Sequence, residues 1–133
     1  MAQVTTRKVV EGSTNLTLHV FLQSDGSGEL ENFVLVNPVD LSPAMPAAPS
    51  MRIMKIWSQL VWFDVSISYG GIVPRPVWVV ARDTASHVDF RCFGGLTDYA
   101  SSPPSDQNGR VLISTSGFVL GSQGSLVIEF RKS

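Results

Sequence analysis

The chain has one cysteine and two histidines in 133 residues. A lone Cys92 excludes an intrachain disulfide. His19 and His87 have no partner at metal-ligand spacing, and a zinc site usually draws on three or four Cys, His or carboxylate ligands. No metal or other cofactor is expected, and no enzymatic activity. Charge is scarce too: Asp, Glu, Lys and Arg make up 16% of the residues, against the usual quarter or so. Ten basic and eleven acidic residues leave a net charge of −1, which gives no field to draw nucleic acid or an anionic membrane. No apolar run approaches the roughly 20 residues needed to span a bilayer, and the start, Met1 to Lys8, lacks the apolar core of a signal peptide. Synthesis in a reducing cytoplasm is the expectation. A surface this poor in charge is either partly covered by a partner or simply a neutral, Ser/Thr-rich β surface.

A sustained helical period is also missing, and what replaces it is alternation. The stretch Met51 to Tyr69 is central: Phe63, Val65, Ile67 and Tyr69 alternate with Asp64, Ser66 and Ser68, the period of a strand with one buried face. Arg52 to Leu60 reads as a further strand, and Trp57 or Trp62 is expected in the core. Thr14 to Leu22 places Leu16, Leu18, Val20 and Leu22 on one side; with Leu30 to Asn37 it suggests a hairpin closed by Asp25-Gly26-Ser27-Gly28. Four prolines between Pro38 and Pro49 exclude a helix or a central strand there. Gly70-Gly71 and Asn108-Gly109 read as turns. Strands follow at Val77 to Ala81, His87 to Phe93, Val111 to Thr115 and Ser125 to Lys132, the last with Leu126, Ile128 and Phe130 inward. The pattern predicts an all-β fold, an antiparallel β-sandwich of jelly-roll type with about eight strands. It comprises a polar N-terminal arm, residues 1–13, and a single β-sandwich domain, residues 14–133.

Side chains able to carry chemistry form no convincing constellation. Cys92 falls on the apolar side of its strand and reads as a small buried hydrophobe. Asp83, Ser86, His87 and Asp89 cluster in sequence without a glycine-flanked nucleophile elbow. Asp25 to Glu29 lacks the repeated acidic ligands of a calcium loop. Gly117 to Gly124 lacks the lysine of a P-loop and precedes a strand.

Several segments nonetheless carry a resemblance. Met51-Arg52-Ile53-Met54-Lys55-Ile56-Trp57, Val61 to Ile67, Asp89-Phe90-Arg91-Cys92-Phe93-Gly94-Gly95-Leu96, Leu112-Ile113-Ser114-Thr115-Ser116-Gly117 and Leu126 to Lys132 resemble, in that order, a family of small virion structural proteins of tailed bacteriophages. The resemblance runs from about Thr14 onward. It leaves out Pro38 to Pro49 and Ser101 to Asn108. It implies a capsid decoration, or cement, protein on the virion head, in contact with the major capsid protein or other virion subunits and assembled as a homo-oligomer. The alternatives are a tail or head–tail connector component, or a carbohydrate- or host-binding β-sandwich module. Polarity marks the N-terminal arm as a segment needing something else to order it, and prolines pre-stiffen the loop after Asn37. The expected partner contacts are therefore Thr5, Thr6, Arg7, Val9 and Val10 of the arm, and Pro43, Met45 and Pro46 of the loop.

Overall fold

The computed structural model describes residues 3–12, 15–26, 28–37, 51–71, 75–83, 85–96 and 107–132. Nine strands form among them: β1 (Gln3–Glu11), β2 (Asn15–Gln23), β3 (Phe33–Val36), β4 (Met51–Val61), β5 (Asp64–Gly71), β6 (Arg75–Val80), β7 (Ala85–Asp89), β8 (Gln107–Ser116) and β9 (Gln123–Lys132). A 3-10 turn, Arg91–Phe93, follows β7. The strands make two antiparallel sheets, ordered β1-β2-β9-β4-β7 and β3-β8-β5-β6. Leaving β1 aside, the pairs are nested: β2 with β9, β3 with β8, β4 with β7, β5 with β6. These pairs fall alternately in one sheet and the other, which is the connectivity of a jelly roll.

The inward faces fill the space between the sheets. Leu16, Leu18 and Val20 of β2 stand opposite Phe130, Ile128 and Leu126 of β9. Val65, Ile67 and Tyr69 of β5 face them with Val111 and Ile113 of β8, all buried. Phe63, Phe90 and Phe118, from segments between strands, close the core. Phe63 and Phe118 pack with ring centroids 4.7 Å apart. The Tyr69 hydroxyl donates to the Leu96 carbonyl at 3.0 Å, so this buried ring leaves no polar atom unpaired.

Several expectations are corrected here. Neither Trp57 nor Trp62 is part of the core. A register shift between Ile53 and Lys55 against β9 resets the phase of β4. Ile53, Met54, Ile56 and Leu60 are then buried, and Trp57 turns to the outer face. Trp62 sits where the chain switches sheets, at a φ of 73°, and is 55% exposed. β2 and β3 are not a hairpin but lie in different sheets. The nine-residue β2 matches the inward ladder of β9 over its whole length, which four-residue β3 cannot do. Asn108-Gly109 lies inside β8, and Gly70-Gly71 ends β5, where Gly71 pairs with Gln107. Residues 91–93 turn out of β7, and Cys92 is exposed.

The expected N-terminal arm is an edge strand. β1 pairs with β2 from Gln3↔Gln23 to Glu11↔Leu16, with a bulge between Lys8 and Val10. Its inward positions are Val4, Thr6 and Lys8, opposite Leu22, Val20 and Leu18. Val4 packs against the core. The polar residues after it hide the alternation in sequence, but main-chain pairing needs no apolar side chain.

Candidate functional site

Two surfaces stand out, one on a flank of the sandwich and one at an end. The flank is where β1 and β3, each an edge strand of its sheet, border the gap between the sheets. A groove of about 530 Å³ opens there, lined by Thr6, Arg7 and Lys8 of β1, Leu18 of β2, and residues 34–37. Its floor is apolar, since Leu18, Leu35 and Val36 are buried. Arg7 and Lys8 are exposed on its β1 side. Lys8 Nζ lies 3.4 Å from Glu11 Oε2 across the bulge. Val9 and Val10, at 51% and 52% exposure, continue the same edge beyond the groove. Of the expected contact residues, Thr5, Thr6, Arg7, Val9 and Val10 are thus brought together on one exposed strand. Pro43, Met45 and Pro46 lie outside the described residues.

The second surface is built by the connections β2–β3, β4–β5, β6–β7 and β8–β9, which are tied to one another. Ser24 N–H donates to Ser122 O at 3.0 Å, and Trp62 N–H to Asp83 Oδ1 at 2.8 Å. Arg82 Nη2 donates to Asp64 Oδ2 at 3.0 Å and to Ser116 O at 3.3 Å. The Arg82 hydrogen bond is the main reason the Asp64 carboxyl is held below its ordinary value. Gly121 has a φ of 95°, and a Cβ there would stand 2.9 Å from Trp62 Cζ3, so the indole lies against a position that only glycine suits. Trp62, Val119 and Leu120 are exposed on this end, Leu120 at 71%. Sequence reading missed this surface. Its signal was the unbroken apolar run Val61-Trp62-Phe63 at a strand switch, and the apolar pair inside a glycine-rich turn.

Of the side chains considered for catalysis, Asp83, His87 and Asp89 are engaged in local contacts. His87 stacks on Trp57 with centroids 4.8 Å apart, and Lys55 Nζ lies 5.5 Å from the Trp57 ring centroid. Asp89 receives Arg91 Nη2 at 2.8 Å, and that guanidinium pulls its carboxyl from 3.8 down to about 2. Asp83 holds the Trp62 amide. Among the described residues, no three His, Cys, Asp or Glu side chains are grouped as a metal ion would need.

No known family model matches the chain, and no curated protein matches it. Among solved structures it is matched to infectious bursal disease virus, Gx strain, over 97% of its length at 13% identity and a TM-score of 0.26. A match to the Gt strain covers 98% of its length at 11% identity and a TM-score of 0.18. The chain spans 32% and 40% of those viral chains. Likeness at that level identifies no shared function.

Proposed function

We propose that the chain is a virion structural protein, a decoration (cement) protein of a tailed-phage head that is made in the host cytoplasm and binds the outer shell. Jelly rolls host many functions, so the reading leans on surfaces and on the resemblance of the sequence to phage virion proteins. The observation that carries it is β1. Two adjacent valines, each about half exposed, sit on a nine-residue open edge strand. Such an edge is a template for pairing with another chain. A protein that binds only the assembled shell shifts the equilibrium toward assembly by mass action. That role needs adhesive edges and loop ends and no catalytic step or cofactor. The partners are the major capsid protein, other virion subunits and sister copies of this chain. Mass spectrometry of gradient-purified particles tests the proposal. The chain is expected to co-sediment with heads and to be lost from tails; its absence from particles would refute it.

A carbohydrate- or host-binding module is the second reading. It is favoured by the indole of Trp62, 55% exposed with its Cζ3 edge toward Gly121, because an exposed aromatic face can stack on a sugar ring. Titration of tryptophan fluorescence with host-surface glycans tests it: saturable quenching abolished by Trp62→Ala supports this reading, and no quenching removes it.

A further inference from the structure

We propose that the groove between β1 and β3 is an acceptor site for an extended segment of a partner polypeptide, with apolar residues for its floor and carboxylates for its β1 rim. The lining is what argues for a strand. Residues 6–8 and 34–37 line the groove as consecutive runs. Successive side chains of a strand point to opposite faces, so consecutive lining means that main chain borders the space on both sides. Both runs belong to, or directly follow, edge strands, whose outer main-chain groups have no neighbouring strand among the described residues. An added strand gains main-chain hydrogen bonds from such an edge, and pockets for its alternate side chains supply specificity. Leu18, Leu35 and Val36 offer an apolar floor for one face of that strand.

Charge selects the segment. Among the described residues, the lining contains Arg7 and Lys8 and no carboxylate. Lys8 shares its charge with Glu11, whereas Arg7 has no ion pair among the described residues. An acidic segment is therefore attracted and a basic one repelled. A second copy of β1 fits less well. Antiparallel self-pairing over all nine residues sets Arg7 opposite Arg7, and like charges directly opposite are destabilising. The bulge at Val9 must also be accommodated.

The inference rests on the proposed function only for the source of the segment, and the test uses the isolated chain, so either can fail alone. The probes are two blocked ten-residue peptides, one alternating valine with glutamate and the other valine with lysine. Binding is followed by fluorescence anisotropy and by amide shifts in NMR spectra. The glutamate peptide is expected to bind at least about tenfold more tightly than the lysine peptide, to shift the amides of residues 6–8 and 34–36, and to lose its advantage in Arg7→Glu. Val34→Asp, at the lip of the groove, should weaken the glutamate peptide independently. Absence of binding, equal binding of both peptides, or shifts confined to the Trp62 end would overturn the proposal. So would a free protein that sediments as a dimer with the β1 and β3 amides already shielded, because the groove would then be an interface between copies.

Discussion

At the scale of single residues, the two neighbours Trp62 and Phe63 separate packing from display. Phe63 is fully buried against Phe118, so Phe63→Ala should cost about 3–5 kcal/mol in urea unfolding. Trp62→Ala should cost well under half of that, since more than half of the side chain is already in water. Equal losses for the two variants would mean that the indole belongs to the core. Gly124 makes a different point. A Cβ there would stand 2.7 Å from the main-chain oxygen of Gln59 and 2.7 Å from Leu60 Cδ2. Backbone on the neighbouring strand cannot step aside as a flexible side chain can. Gly124→Ala should therefore destabilise by about 1–3 kcal/mol; an unchanged unfolding midpoint would show that β4 and β9 separate easily.

At the scale of elements, the end of β7 carries a titratable clasp. Asp89 bonds Arg91 through both its side-chain oxygens and the Arg91 amide. Its carboxyl titrates near 2 instead of 3.8. A carboxylate with a depressed folded value stabilises the fold above its unfolded value and loses that contribution as pH falls toward the folded one. Stability should thus decline between about pH 4 and pH 2, and Asp89→Asn should flatten that part of the profile. Parallel profiles for the two proteins would show that the clasp does not couple to folding.

Strand position within the sheets sets local stability. β9 lies between β2 and β4 in the middle of the larger sheet, while β1 has a neighbour on one side only among the described strands. In native-state hydrogen exchange the β9 amides should exchange only with global unfolding, and β1 should open locally and faster. Equal protection would mean that β1 is pinned by more than its pairing with β2. The same two strands show what a sequence discloses. In β9, Leu126, Ile128 and Phe130 alternate with solvent-facing residues, so its pattern is plain. In β1, the inward Thr6 and Lys8 border a groove instead of the core, so no apolar period marks it and a polar arm was the natural reading. The phase reset after Ile53 misplaced Trp57 for a related reason: a bulge adds one residue without leaving a compositional trace.

At the scale of the whole molecule, the nested pairing explains which surfaces are open. Rolling the chain so that β2 meets β9 and β3 meets β8 covers the inward faces, yet leaves β1 and β3 as edges on one flank. It also gathers the connections bearing Trp62, Val119 and Leu120 at one end. The two-sheet, antiparallel character was legible because alternation is local. The pairing of β2 with a strand about a hundred residues later was not, because short-range turn signals such as Asp25-Gly26 say nothing of a distant partner. The candidate groove was only partly within reach of sequence: polarity marked residues 1–13 as a contact segment through Thr5, Thr6, Arg7, Val9 and Val10, but the opposite wall on β3 depends on pairing with β8.

The most direct measurement is electron cryomicroscopy of intact particles purified from the chain's source. The account predicts density for a two-sheet sandwich on the outer face of the head, bridging neighbouring shell subunits, with the β1 edge and the adjacent groove in contact with a partner chain. Density in the tail, or a sandwich on the head whose β1 flank faces solvent, would contradict it.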